Sequence, residues 1–238
     1  MSFVKMTPEP FDTTNLSTAV YKATIKTISD ISFLDESIPN NAGLVSVRVP
    51  LKWENEMNLT QFRKIENLVF LERPLMKVEN KNLPNSIRLT SEKDADRCAE
   101  IAGKCFHQDR YHTDQKIDDD AADRSKRNWA KNNILGRGDV GFVAEINNKI
   151  VGFNLCLIQN NSAVIDLIGV ELESQGMGIG KSLVMASISY YSGKVSSIQV
   201  GTQTANKSAL VIYEAAGFSI IDESATFHWT PKNLETIP

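Results

Sequence analysis

The sequence predicts an α/β (α+β) chain: a mixed, twisted sheet flanked by helices, preceded by a smaller β-β-α-β unit. Three observations carry this. Val164 to Val170 is an apolar run of the length of a buried strand, and Val170 leads through an acidic turn into the glycine-rich stretch Gln175 to Ser182 and then a helical pattern. Strand-like and helix-like patterns alternate from Ile87 to Thr230. The polar, proline-bearing stretch Glu79 to Ser86 reads as a linker, so residues 1–82 and 83–238 are the expected domains.

Taken in order, Thr18 to Ile28 alternates as a strand does, and Leu44 to Leu51 sets Val45, Val47 and Val49 against Ser46 and Arg48. Leu59, Phe62 and Ile65 fall at helical spacing, which predicts a helix over Asn55 to Leu68. Val69 to Val78 reads as a strand that Pro74 confines to an edge or a bulge. Ile87 to Leu89 starts the larger domain. Thr90 or Ser91 can cap the next helix, whose buried face would carry Ala95, Cys98, Ala102 and Cys105. Phe106 to Asp118 is polar and aromatic. Asp118 to Asp120 place carboxylates at the start of a helix reaching Asn132, where they suit the helix dipole.

Gly141 to Glu145 and Ile150 to Ile158 form a hairpin around Asn147-Asn148, a pair that accepts the turn conformation. The strand Val164 to Val170 follows. The helix after the glycines runs to Tyr191, with Ile179, Leu183, Ala186 and Tyr190 on its buried stripe. Ser196 to Thr202 is a strand, Asn206 to Ala216 a helix, and Ala225 to Thr230 a final strand.

With 238 residues there is ample material for a core. The net charge of −3 points away from a general nucleic-acid or membrane-surface binder. No apolar run approaches the roughly 18 residues of a membrane span, and Met1 to Lys5 shows no signal-peptide core, so a cytoplasmic setting is expected. The three cysteines, Cys98, Cys105 and Cys156, are too few and too irregular for a disulfide framework or a zinc site, and no metal is expected.

The glycine-rich turn is the element with chemistry in it. Strand, glycine turn and helix start in that order make a phosphate cradle, because backbone N–H groups approach an anion closely and the helix start adds partial positive charge. Two common phosphate loops are excluded by counting. A Walker A loop needs glycine where Gln175 stands, and a GxGxxG fingerprint needs glycine where Lys181 or Leu183 stands. What remains is Gln-x-x-Gly-x-Gly, at Gln175, Gly178 and Gly180.

That pattern resembles the loop of the Gcn5-related N-acetyltransferase family. A second motif supports it: a strand, Asn206, seven residues to Tyr213, then Gly217-Phe218. The order β-α-α-β-β-β-α-β-α-β from Ile87 matches the family. Phe106-His107-Gln108-Asp109-Arg110-Tyr111-His112, Trp129-Ala130 and Val200 to Asn206 are similar to the TDP-fucosamine acetyltransferase group. Members of that group N-acetylate a nucleotide-linked amino-dideoxy sugar and carry an N-terminal half-domain.

The resemblance implies acetyl-CoA as cosubstrate, lying where the fourth and fifth strands of the domain splay. It implies that Ile168, Gly169 and Val170 bind the pantetheine arm and help hold the thioester oxygen, donors of a kind worth on the order of 3 kcal/mol of barrier. Gln175, Gly176, Met177, Gly178, Ile179, Gly180, Lys181 and Ser182 would take the pyrophosphate. The helix dipole supplies only roughly 0.3–1 kcal/mol, so several N–H bonds must carry the affinity.

Tyr213 is the implied general acid, since a phenol's ordinary pKa near 10 lies close to that of an alkyl thiol. By spacing alone it reads rather as a core aromatic, sharing a helical face with Ala209 and Ala216, and the resemblance reverses that reading. Asn206 is a helix cap, a pantetheine ligand or both. His107, Arg110, Tyr111 and His112 are candidates for the nucleotide sugar, and no residue stands out as the base. The expected partners are small molecules, neither nucleic acid nor membrane, with a homodimer as one expected assembly. The alternatives are the same fold acting on another amine (a peptide N-terminus, a polyamine, an aminoglycoside), or a catalytically silent coenzyme A-binding module.

Overall fold

The computed structural model describes residues 4–75 and 86–238. In chain order its elements are β1 (Lys5–Pro8), α1 (Pro10–Leu16), β2 (Val20–Thr24), β3 (Leu44–Pro50), β4 (Arg63–Pro74), β5 (Ile87–Leu89), α2 (Ala95–Cys105), α3 (Asp119–Asn132), β6 (Val140–Ile146), β7 (Lys149–Gln159), β8 (Ser162–Val170), α4 (Ile179–Tyr191), β9 (Ser197–Gln203), α5 (Lys207–Ala215) and β10 (Ser219–Trp229). From β5 onward this is the expected order of strands and helices. Most of the linker stretch Glu79 to Ser86, the expected boundary at residues 82 and 83, and Met76 to Val78 at the end of one expected strand lie outside the described residues.

The chain forms two compact units that no single cut separates. One comprises residues 1–69, 108–125 and 222–238; the other comprises 70–107 and 126–221. The divisions fall inside β4, α3 and β10, so each contributes residues to both units.

In the first unit the strand order is β1-β2-β3-β10-β4. β2 runs parallel to β3, and β10 antiparallel to β3, with Val49 opposite Ala225 and Val47 opposite Phe227. Those four side chains, with Val45, Leu34, Met57 and Phe62, form an apolar core on one face of the sheet. A second cluster of Leu16, Val20, Leu44, Tyr111, Ile117 and Ala121 packs elsewhere in the unit.

The helix expected over Asn55 to Leu68 is corrected here. Leu51–Leu59 is a 3-10 helix, and β4 begins at Arg63. Thr60 is the reason: its backbone turns extended, its hydroxyl and its N–H both go to the Met57 carbonyl, and the N–H of Phe62 returns to that hydroxyl. The turn satisfies the last carbonyl and stops the helix. Ile65, Val69 and Phe70 then suit a strand. Two elements the sequence reading did not assign, β1 and α1, precede β2.

In the second unit the order is β4-β9-β8-β7-β6-β5. β5, β6, β7 and β8 are joined antiparallel, while β8 and β9 run parallel. Asn147 and Asn148, at φ 50° and 61°, close the β6–β7 hairpin as expected. Asn160 and Asn161, at 48° and 62°, repeat the device between β7 and β8. Cys98, Ile101 and Ala102 of α2 meet Val143, Phe153, Leu155 and Leu167 of the sheet in one apolar cluster. Ser91 and Asp94 form the capping box that starts the turn before α2, and Arg88 is held by Asp94 and Glu145.

Candidate active site

The site builds outward from β8. β8 and β9 pair from Ser162 with Ser197 to Ile165 with Val200, and the pairing ends there, although β8 continues to Val170 and β9 to Gln203. On its other side β8 stays paired with β7 to its end, where Gly152 faces Val170. Between Leu155–Leu167 and Cys156–Ile165 the register slips by one, which leaves Asp166 as the extra residue of a bulge. The terminal residues of β8 therefore expose backbone groups on the side β9 has left.

Gly169 is a glycine because of crowding. A Cβ there would meet Cys105 Sγ at 2.7 Å and the Phe153 ring at 3.1 Å. The glycine loop works differently. Gly176 and Gly178 both have φ of 78°, and a Cβ on either would meet nothing within 4 Å. The left-handed backbone, not a lack of space, requires glycine at these two positions. Gly178 is the residue before the first turn of α4, and no side chain caps the helix. The leading N–H groups of a helix have no partner within it, and those of α4 follow directly on the exposed Gly178. Gln175 ties the loop to the strand by donating its Nε2–H to the Val170 carbonyl at 3.1 Å. Ser182 uses its hydroxyl on the Gly178 carbonyl, while Met177 and Lys181 are exposed.

Asn206 is the helix cap that the sequence allowed: its Oδ1 accepts from the N–H of Ala209 at 3.2 Å and the hydroxyl of Ser208 at 3.0 Å. Tyr213 lies on α5 with 3% of its surface exposed, its ring centroid 5.6 Å from that of Phe218. Burial first, and then the nearby Cys156, push the phenol above its ordinary range. Tyr213 is thus held protonated at neutral pH, the state a proton donor needs.

The remaining candidates are placed as follows. His107 is exposed. Arg110 donates to Asp12 at 2.9 Å and to the hydroxyl of Tyr111 at 2.8 Å, and its guanidinium lies 4.6 Å from the Tyr111 ring centroid. Tyr111 is buried. His112 bridges Asp109 and Asp123. Arg110, Tyr111 and His112 belong to the first unit, and His107 to the second.

Asp166 is the residue that sequence reasoning missed. Its Oδ2 accepts from Trp129 Nε1 at 2.6 Å, from Asn133 Nδ2 at 2.8 Å and from Arg137 at 2.5 Å. The available signal was a lone carboxylate inside the apolar run Val164 to Val170. A half-buried charge there needs several donors.

The comparisons with known proteins agree with this geometry. The model of the Acetyltransferase (GNAT) family matches residues 96–218, just over half of the chain. The chain belongs to that family. The family's use of acetyl-CoA fits a glycine loop that leads into an uncapped helix start. The spore coat polysaccharide biosynthesis protein SpsD of Bacillus subtilis (strain 168) is 29% identical over 144 residues, 60% of this chain and 50% of that protein. The chain thus spans about half the length of this relative. Among solved structures, a GCN5-related N-acetyltransferase from Sphaerobacter thermophilus superposes with a TM-score of 0.60 at 14% identity, covering 98% of this chain and 78% of that one. A putative GNAT acetyltransferase from Novosphingobium aromaticivorans DSM 12444 gives 0.58 at 12% identity, covering 89% and 84%. These two likenesses concern the fold. No helix of the described residues is long and apolar enough to cross a membrane.

Proposed function

We propose that this GNAT chain is an N-acetyltransferase whose acceptor is the amine of a nucleotide-linked amino-dideoxy sugar. The observation that carries the coenzyme half of the proposal is the end of β8–β9 pairing at Ile165 and Val200, beside a loop of unpaired amides. The coenzyme supplies an acetyl thioester. The amides of residues 176–181 hold its diphosphate, and the backbone of Ile168 to Val170 holds the pantetheine arm and the thioester oxygen. Tyr213 keeps a proton at Oη and delivers it to the departing sulfur as the amine attacks directly. Burial raises its pKa and so holds that proton on the phenol at neutral pH.

The acceptor half rests on the segments Phe106 to His112, Trp129-Ala130 and Val200 to Asn206. It also rests on a relative whose name places it in polysaccharide biosynthesis. Free-thiol release from acetyl-CoA, measured with a panel of TDP-linked 3-amino and 4-amino sugars beside peptides, polyamines and aminoglycosides, tests the proposal. Turnover confined to the sugar nucleotides supports it. Turnover with the other amines only would replace the acceptor, and coenzyme binding without release from any of them would replace the activity.

A further inference from the structure

Asp166 carries more than the fold asks of it. Its Oδ2 takes all three of its hydrogen bonds, from Trp129 Nε1, Asn133 Nδ2 and Arg137. The amide oxygen of an asparagine would receive the same donors. Its Oδ1 accepts none from the described residues, yet it is absent from the buried polar atoms that lack a partner. With 12% of the side chain exposed, Oδ1 is therefore the oxygen that reaches solvent. An acceptor so placed is rigid as well as open, because three donors fix the carboxylate before anything binds.

The strand places that oxygen. Ile165 is the last rung with β9, so Asp166 is the first residue of β8 beyond the pairing. On its other side β8 stays paired with β7, which closes that edge. The faces follow from the alternation along β7. Asn154 faces α4, donating to the Leu183 carbonyl, whereas Phe153 and Leu155 face α2 together with Leu167. Asp166 is the bulge residue next to Leu167, and its three partners lie on α3 and on the turn after it. Its carboxylate thus stands on the face of α2 and α3, opposite α4, at the point where the sheet opens.

With the coenzyme placed as proposed above, the diphosphate sits at the start of α4 and the pantetheine arm passes the opening at Ile168 to Val170. The α4 face is then taken, and an acceptor has to approach from the face of α2 and α3. Two residues of strand, roughly 7 Å, separate Asp166 from Ile168, so a group bonded to Oδ1 lies within reach of a carbonyl held there. Arg137, with 47% of its side chain exposed, offsets the charge of the carboxylate from the solvent side. The open oxygen therefore selects a hydrogen-bond donor rather than net positive charge alone. An ammonium N–H makes the stronger, charge-assisted bond to it.

We propose that Asp166 Oδ1 receives the amine of the acceptor, accepting a hydrogen bond from its nitrogen and aiming it at the thioester carbon. The contact is non-covalent and lies wholly within the second unit. It rests on the acetyl-transfer reading above, and it leaves the proton of Tyr213 and the bonds made and broken in the transfer as described there. It makes Asp166 a specificity residue, because a hydroxyl in place of the amine donates a weaker bond.

The test uses the full chain, acetyl-CoA and two probes: TDP-4-amino-4,6-dideoxygalactose, and TDP-fucose, which has a hydroxyl in place of the amine. Calorimetry in the presence of desulfo-coenzyme A measures binding, and free-thiol release measures turnover. The native chain is expected to bind the amino sugar about tenfold more tightly than its hydroxyl counterpart. In Asp166→Asn the amide oxygen takes over the three donors, and an NH2 faces the amine. The preference should then vanish and the KM for the amino sugar should rise about tenfold or more. The KM for acetyl-CoA and the melting temperature should stay nearly unchanged. A residue that only braces α3 would lower the melting temperature and leave the preference intact. A crystal of the native chain with the amino sugar and desulfo-coenzyme A, which needs no variant, should place the amine nitrogen within about 3.2 Å of Oδ1. A native chain that releases no thiol with the amino sugar overturns the acceptor named above, and this contact with it. Turnover whose amine preference survives in Asp166→Asn, or a nitrogen beyond hydrogen-bond reach of Oδ1 in the crystal, overturns the contact alone.

Discussion

Ile165 and Val200 form the last paired rung between β8 and β9, and beyond them the two strands part. Parallel neighbours normally stay in register as long as both remain extended. Both continue here, β8 to Val170 and β9 to Gln203, so the break is built into the sheet. It leaves the backbone of Ile168 to Val170 available at the point where the glycine loop begins.

Tyr213→Phe tests the proton donor. Removing one hydroxyl from a ring that packs against Phe218 leaves the apolar contact in place. The expected outcome is a fall in kcat of about 10²–10⁴-fold, with desulfo-coenzyme A still binding by calorimetry. Full turnover in this variant removes the residue from the mechanism.

Gly178→Ala isolates the backbone of the loop. No atom would meet the new methyl within 4 Å, so the whole effect comes from φ at 78°. Holding alanine there costs about 1–2 kcal/mol, which the loop can relieve only by turning its amides away. Coenzyme binding is expected to weaken about tenfold, while the unfolding midpoint moves little because the loop is exposed. Gly169→Ala is the contrast. Its methyl would press on Cys105 and Phe153, and unfolding in urea should show a loss of about 1–3 kcal/mol.

The parts of the fold legible in the sequence are those fixed by local chemistry. Asn147-Asn148 announces a hairpin, Asp118 to Asp120 a helix start, and Gln175 to Gly180 a left-handed turn into α4, because each depends on a few adjacent residues. Leu59, Phe62 and Ile65 misled because a side chain-to-backbone turn at Thr60 outweighs a three-residue period. Asp166 was illegible because a bulge exists only in the register of β8 against β7. Ser46, set against Val45 and Val47, reads as part of an ordinary solvated face until its burial shows otherwise.

Acid should destabilise the first unit in two steps. Asp114 is held at about 2, below its ordinary 3.8, because hydrogen bonds from His228 and Arg63 outweigh the opposing effect of its burial. A depressed carboxylate contributes stability that is present above 3.8 and is lost as pH falls towards 2, roughly 2 kcal/mol in all. His228 is shifted down from 6.5, mainly by burial. Below 6.5 the unfolded chain therefore takes up a proton that the folded chain refuses, and stability falls with pH there too. Urea unfolding followed from pH 7.5 to 5 should show this slope in the native chain and a shallower one in His228→Gln. An unchanged slope would assign the dependence to other groups.

Asp166 offers a last contrast, between a half-buried anchor and its exposed partner. Its side chain is 12% exposed and that of Arg137 is 47% exposed. Asp166→Ala strips the acceptor from Trp129 Nε1 and from the buried Asn133 at once. Each donor left dry costs about 1–3 kcal/mol, so unfolding should show a loss of several kcal/mol. Arg137→Ala removes a cation that water can replace, and it should cost less than about 1 kcal/mol. The order of the two losses carries the argument. If Arg137→Ala proved the more damaging, the carboxylate would be held chiefly by charge, and the indole and amide would be bystanders.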